Sequence, residues 1–228
     1  MSAELRRRYR TYLLYLAGCL VFSSGAYLFI HADLGTDPLD VFALGLKEHI
    51  TITVGLAQTG VAVVCLGTVA FWNRRRPLVA PMLTFFFCGS VIDLLLWTDP
   101  GRLLEAGSPT LVALATLMCA YGSALIIMSG FGIRPIDVLA IAMTHKWRWP
   151  FWCSKGLVEV TLLAIGFLLG GPVGVGTVCF LAGVDLLIQP FIWANVRYMR
   201  LPNLGLPERG PEQPAPSLQS ASPQKDPK

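Results

Sequence analysis

Long apolar stretches separated by short polar segments form the dominant pattern along this chain. A bilayer core about 30 Å thick needs about 20 apolar residues in helical conformation. The stretches close to that length are Thr11–Ile30, Val54–Trp72, Leu78–Trp97, Thr110–Ser129, Lys155–Leu169 and Val173–Trp193. The fifth is the shortest, because a Gly-Gly-Pro sequence follows it. The pattern predicts an all-α, polytopic membrane helix bundle of about six transmembrane helices.

Composition agrees with this prediction. Hydrophobic residues make up 54% of the 228 residues, and only 14% are Asp, Glu, Lys or Arg. Soluble domains carry about a quarter charged residues, so this chain has too few charges to cover a water-facing surface. The lipid bilayer is therefore its expected main partner, and no nucleic acid, cofactor or metal is expected.

Basic residues lie at alternate ends of the predicted spans, and such residues stay on the cytoplasmic side of a membrane. With the N-terminus inside, the cytoplasmic segments carry Arg6–Arg8, Arg10, Arg74–Arg76, Lys146, Arg148, Lys155, Arg197 and Arg200. The external segments keep little more than Lys47 and Arg102. This bias predicts a multi-pass plasma-membrane protein with both termini in the cytoplasm.

The region after about residue 200 differs from the rest. Residues 1–200 form the predicted transmembrane domain, whereas residues 201–228 are rich in Pro, Ser, Gln, Glu and Lys. Such a composition has almost nothing to bury and predicts a disordered cytoplasmic tail. The tail either binds a partner or is dispensable.

An internal repeat divides the transmembrane domain. Gly25–Leu46 aligns without a gap to Gly122–Met143 at a constant offset of 122 − 25 = 97 residues, and both segments contain G-x-x-P-[LI]-D-V. The first repeat covers about residues 11–97 and the second about 110–193. Each holds three spans, and an odd number reverses the second half in the membrane. The sequence therefore predicts two inverted-topology three-helix repeats, an arrangement common in secondary transporters.

Each repeat also contains a segment too short to span, Pro38–Glu48 in the first and Pro135–Lys146 in the second. Each opens with Pro at the first helical position and Asp in the first turn, both favourable at a helix start. We expect short helices after a chain break, either re-entrant or lying along the membrane. Re-entrant helices would line a central binding site. The candidate site residues in these segments are Gly35, Pro38, Asp40, Gly132, Pro135 and Asp137. The alternative is that Asp40 and Asp137 only cap helices.

Two further acids, Asp93 and Asp185, lie inside predicted spans at related places in the repeat. A carboxylate near the bilayer centre costs about 2.5–3.5 kcal/mol and often marks an ion or proton path. Both are therefore candidate substrate- or ion-binding residues. Lys155 and Glu159 have i,i+4 spacing, which favours a structural ion pair. The six cysteines show no metal-ligand or redox spacing, and no catalytic motif is present, so an enzyme is not expected.

Three motifs together resemble a known family. L-G-T-D-P-L-D-V at Leu34–Val41, N-R-R-R-P at Asn73–Pro77 and V-I-D-L-L at Val91–Leu95 are similar to the YczE/YyaS/YitT family of bacterial membrane proteins. The likeness covers Leu13 to Arg197 and is greatest to the YczE branch, because the chain lacks the soluble C-terminal domain of YitT-type members. Leu39 replaces the Trp frequent in the family motif. The resemblance implies a bacterial plasma-membrane protein and no particular activity.

These observations favour a transporter-like protein that moves a small solute or ion. Without an ATPase motif, its driving force would be a proton or sodium gradient. The competing hypothesis is a membrane accessory or scaffold protein for another enzyme or an export system. A homo-oligomer is compatible with either hypothesis.

Overall fold

The computed structural model describes residues 3–74, 79–103, 108–199 and 201, and these residues are almost entirely helical. The helices are α1 Ala3–Ala32, α2 Pro38–His49, α3 Val54–Asn73, α4 Val79–Thr98, α5 Ser108–Ser129, α6 Pro135–Trp147, α7 Phe151–Leu168, α8 Val175–Val178 and α9 Asp185–Arg197. A π-helical turn, Cys179–Val184, joins α8 to α9. The predicted all-α class is confirmed. The predicted tail, residues 201–228, lies outside the described residues apart from Leu201, as do Arg75, Arg76 and Arg200 of the predicted cytoplasmic segments.

Five helical segments in the described part of the chain are long and apolar enough to cross a bilayer. They are Tyr9–Ala32, Val54–Asn73, Ala80–Thr98, Ser108–Ser129 and Val175–Arg197. The fifth predicted span lies on α7, whose 18 residues extend over roughly 27 Å. The chain is therefore a multi-pass membrane protein with five full-length spans and one shorter helix that carries two charged residues.

The two predicted short helices are present as α2 and α6, of 12 and 13 residues. Pro38 and Pro135 occupy their first positions, where a missing N–H costs no intrahelical hydrogen bond. Gly35 adopts a φ of 95° in the turn before α2, and a Cβ there would clash with the backbone of Gly174. Glycine is therefore required at that turn.

Helices α1 and α5 form the centre of the bundle and run antiparallel. Gly18, in the middle of α1, lies against Gly122, whereas Gly25, about two turns later, lies against Cys119. The order of contacts along α5 is thus the reverse of the order along α1. Small residues at these positions let the two backbones approach closely, as is common between membrane helices.

This central contact is reciprocal under the 97-residue offset. A Cβ at Gly25 would lie 2.9 Å from Cys119 N, and a Cβ at Gly122 would lie 2.5 Å from Phe22 N. Adding 97 to Gly25 and Phe22 gives Gly122 and Cys119. Each helix therefore presents the same part of its repeat to the other, as in a pair related by a two-fold axis.

The outer helices follow this arrangement. Helix α4 packs parallel to α1, and α9 packs parallel to α5. Near the C-terminal ends of α1 and α4, Tyr27 donates a hydrogen bond to Asp99. Near the C-terminal ends of α9 and α5, Asn195 contacts Met128. The α1–α4 pair therefore runs opposite to the α5–α9 pair.

The short helices cross between the halves. Helix α2 packs on α7 and α6 packs on α3, so each short helix contacts a long helix of the other half. Gly166 of α7 fits against the backbone of Val41 and Phe42, and Trp147 of α6 meets the ring of Trp72 at 5.2 Å. The two halves are thus interlocked rather than placed side by side.

We expect Gly122→Leu to destabilise the protein, because even a Cβ at this position would come within 2.8 Å of Gly18 O. Overpacking of this kind costs about 1–3 kcal/mol. Thermal unfolding of the purified protein in detergent, followed by size-exclusion chromatography, measures the effect. Gly60→Leu is the matched control, since no heavy atom lies within 4 Å of a Cβ at that glycine. Equal unfolding temperatures for the two variants would contradict the α1–α5 contact described above.

Candidate functional site

A small cavity lies where the chain breaks before α2 and α6 approach each other. Its volume is about 30 Å³, room for about two water molecules. It is lined by Phe22, Asp37, Pro38, Leu39, Gln58, Thr84, Phe85, Cys88, Ile126, Arg134, Ile136, Asp137, Glu159 and Phe180. Phe22 and Cys88 lie near the middle of their spans, so the cavity lies at mid-depth of the bundle.

The N-terminal ends of both short helices reach this cavity. Asp37 is the N-cap of α2 and accepts a hydrogen bond from Asp40 N at 2.6 Å. Arg134 precedes α6 at the equivalent position, since 37 + 97 = 134, and its Nε lies 3.2 Å from Asp137 Oδ2. The two halves thus bring opposite charges to the same cavity.

Asp40 does not cap α2, so the capping alternative is wrong for this residue and applies to Asp37 instead. The Asp40 side chain is completely buried, and its Oδ1 accepts a hydrogen bond from Gln58 Nε2 of α3 at 2.6 Å. Asp137 likewise makes no cap and pairs with Arg134. The two equivalent aspartates therefore have different partners, an amide for one and a guanidinium for the other.

The predicted Lys155–Glu159 pair is present in α7, with Nζ and Oε1 3.5 Å apart. Lys155 Nζ lies nearer to both carboxylate oxygens of Asp185 in α9, at 2.8 Å each. Glu159 lines the cavity, whereas Asp185 is on the outer side of this group and 41% exposed. Lys155 therefore links α7 to α9 beside the cavity.

Asp93 lies apart from the cavity and has a structural role. Its two carboxylate oxygens accept hydrogen bonds from Val54 N and Gly55 N, both at 2.8 Å. These are the first N–H groups of α3, so an acid of α4 caps the neighbouring helix. Of the predicted residues, Pro38 and Asp137 line the cavity, Asp40 lies next to it, and Asp93 does not belong to it.

Several residues that line the cavity were not among the predicted site residues, including Asp37, Arg134 and Gln58. Asp37 and Arg134 occupy matching positions in the repeat. The repeat was recognised from identical residues, and these two positions differ between the halves. A signal was present in the pair of opposite charges directly before the two aligned prolines. Gln58 is an isolated polar residue in an apolar span, and its partner could not be known without the fold.

A second charged cluster joins the ends of α1 and α4 far from the cavity. Tyr27 donates a hydrogen bond to Asp99 Oδ1 at 2.7 Å, and His31 Nδ1 lies 3.3 Å from the same oxygen. The Tyr27 hydrogen bond, together with Arg102, lowers the pKa of Asp99. The cluster links the C-terminal end of α4 to α1. Because Asp99 does not line the cavity, it serves as a control position in tests of the cavity.

We expect Asp93→Ala to reduce stability, because it removes a cap from α3. Loss of a capping side chain costs about 0.5–2 kcal/mol. Thermal unfolding in detergent measures that loss of stability. The Asp99→Ala variant, which disrupts the outer cluster, gives a second loss of stability for comparison. A fully stable Asp93→Ala variant would contradict the capping role.

The chain is similar to several known bacterial proteins. It is 29% identical to the uncharacterized membrane protein YczE of Bacillus subtilis strain 168 over 166 residues, covering 72% of this chain and 77% of that protein. It is 28% identical to the uncharacterized protein YyaS of the same organism over 184 residues, covering 79% and 92%. An uncharacterized protein of Haemophilus influenzae is 22% identical over 201 residues, covering 86% and 89%.

No solved structure matches the chain. The sequence from residue 9 to residue 192 matches DUF6198, described as a family of unknown function. This match includes all the residues that line the cavity. The resemblance inferred from the motifs is confirmed, and the chain belongs to the DUF6198 family together with its YczE- and YyaS-like relatives.

Proposed function

We propose that this protein is a secondary transporter of a small solute or ion, which binds in the cavity between the starts of α2 and α6. The observation that carries the proposal is the meeting of two broken segments, one from each half, at one cavity at mid-depth. Discontinuous helices at the bilayer midplane form the substrate sites of many transporters, because their exposed backbone and helix ends can bind a ligand.

The arrangement of helices supports an inverted repeat as the basis of alternating access. The α1–α4 pair is antiparallel to the α5–α9 pair, and the contact between α1 and α5 is reciprocal. In such transporters one repeat rocks against the other around a fixed site. We therefore propose that the two halves move relative to each other along the contact surface that contains the cavity.

The charges around the cavity favour a cationic solute or ion. Its lining contains three acids, Asp37, Asp137 and Glu159, and one basic residue, Arg134. Arg134 is already engaged with Asp137. The helix N-termini contribute only partial positive charges, equivalent to about half an elementary charge each. A proton or sodium gradient across the plasma membrane would provide the driving force.

Contacts at the ends of the short helices support the proposed orientation, with both termini cytoplasmic. The end of α6 lies beside the end of α3, where Lys146 lies over the ring of Trp72 at 4.3 Å. The end of α2 lies beside the end of α7, where His49 Nε2 is 3.1 Å from Leu169 O. The first pair would lie at the cytoplasmic surface and the second at the external one.

A topology map tests the inverted arrangement. Glu48 and His145 are equivalent positions at the exposed ends of α2 and α6, since 48 + 97 = 145. In a background without the six native cysteines, we expect Glu48→Cys to react with an impermeant thiol reagent from outside. His145→Cys should react only after the membrane is permeabilised. Reaction of both from the same side would mean parallel halves and would remove the basis for alternating access.

Transport is tested in proteoliposomes on a solid-supported membrane, with sodium, potassium, ammonium and guanidinium ions as probes. We expect at least one of these ions to give a current that Asp137→Asn abolishes, because the substitution leaves Arg134 without its partner and makes the cavity less acidic. Asp99→Asn, in the remote cluster, is the matched control and should retain the current. Both variants must reach normal expression for the comparison to be valid.

The same experiment separates transport from the accessory hypothesis. Absence of current with all four ions, together with full tolerance of Asp137→Asn in cells, would contradict a cation transporter. Isolation of a single stoichiometric partner by pull-down would then favour an accessory or scaffold protein.

A further inference from the structure

Asp40 is the most deeply enclosed charged residue beside the cavity. No part of the residue is exposed. Its Oδ1 accepts the hydrogen bond from Gln58, whereas its Oδ2 is buried and has no hydrogen-bond partner among the residues that the structure describes. Within the same described part of the chain, no Lys, Arg or His forms an ion pair with it. A group in this position requires an explanation, because buried polar atoms are nearly always paired.

The surroundings of Asp40 disfavour a negative charge. The titratable groups that face it are Asp37 at the start of its own helix, Cys88 and Asp93 of α4, and Cys119 of α5. Helix α3 contributes the neutral Gln58, and α7 contributes the backbone of Gly166 beside Val41. None of these groups is positive, and the nearby cation Arg134, which interacts with Asp37 and Cys119, is paired with Asp137. An ionised carboxylate would be desolvated without compensation, which proteins avoid by binding a cation or a proton.

A proton fits this position better than a metal ion. Asp40 is not among the residues that line the cavity and its free oxygen is buried, which disfavours a metal ion that needs several oxygen ligands. A proton needs no such set of ligands. Its neighbours Asp37 and Gln58 do line the cavity, and both are hydrogen-bonded to Asp40, one through its N–H and the other through Oδ1. The Asp40 carboxyl group is therefore one hydrogen bond away from the cavity through Gln58, and its backbone N–H is one hydrogen bond away through Asp37.

We propose that Asp40 binds the coupling proton of the transporter and that Gln58 communicates its protonation state to the central cavity. The coupling role rests on the proposed function, whereas proton binding does not. When a rearrangement opens Asp40 to cavity water, an O–H bond of a hydronium ion breaks, an O–H bond forms at Asp40 Oδ2, and a water molecule is left. Release is the reverse transfer to water, and the resulting anion favours the conformation in which Asp40 is open to water or close to the cationic solute.

Infrared difference spectroscopy of the purified protein in lipid tests proton binding directly. Between neutral and alkaline pH we expect loss of a carboxylic-acid carbonyl band that shifts in heavy water. Asp40→Asn should remove this band, and Asp99→Asn should leave it unchanged. Gln58→Leu should shift the frequency of the band, because it deletes the hydrogen bond to the Asp40 carbonyl oxygen. This second variant retains Asp40 and serves as an independent test if Asp40→Asn fails to fold.

The same spectra distinguish a proton from sodium. Replacing choline chloride by sodium chloride at constant pH should leave the acid band unchanged. Loss of the band on addition of sodium would overturn the assignment of a proton and identify a sodium site. An acid band that persists at full height in Asp40→Asn, or that Gln58→Leu does not shift, would overturn the assignment to Asp40.

Transport by the same variants tests coupling. With the ion that gives a current in wild type, Asp40→Asn should lose accumulation driven by a pH gradient and retain exchange of that ion across the membrane. Retained pH-driven accumulation would overturn the coupling role of Asp40 and leave the proposed transport function in place. An Asp40-dependent acid band without a current for any of the four ions would support proton binding and overturn the proposed function.

Discussion

The close backbone contact between α1 and α5 is the constraint on which the rest of the bundle depends. Gly18 and Gly25 on one side and Gly122 on the other leave no space for side chains, so the two helices meet backbone to backbone. Without a hydrophobic force between helices in lipid, such packing is a main source of association. The antiparallel contact places the chain breaks that follow α1 and α5 at its opposite ends, and from there the chain returns so that the starts of α2 and α6 meet at one cavity.

A broken helix within the membrane is stable only if its backbone polar groups are satisfied by protein. The turn before α2 meets this requirement through Asp37, which accepts from Asp40 N, and through Leu34 O, which accepts from Gly176 N at 2.7 Å. The Leu34–Gly176 contact requires glycine on both sides, because a Cβ at Gly35 or Gly176 would clash with the opposing backbone. The first half therefore depends on α8 of the second half for the conformation of its own break.

Much of the fold could be predicted from the sequence, because a bilayer restricts a chain to helices whose length and polarity are visible in the residue pattern. The short helices were visible from the Gly-x-x-Pro motif and from their length. The roles of the acids were harder to predict. Asp93 caps α3 across a helix interface, and Asp40 pairs with Gln58 rather than capping its own helix, because partners distant in sequence decide both. Such partners have no periodic signal.

The repeat is most informative where its halves differ. Asp37 corresponds to Arg134, and Gln58 and Lys155 each occupy the fifth position of the helix that follows, α3 and α7. The second half therefore surrounds its acids with two cations, whereas the first half leaves Asp40 with an amide alone. A strictly symmetric pair of halves would give each aspartate the same environment. The divergence instead separates a charge-compensated half from a half with one uncompensated buried acid, and the proposed proton-binding role of Asp40 depends on that difference.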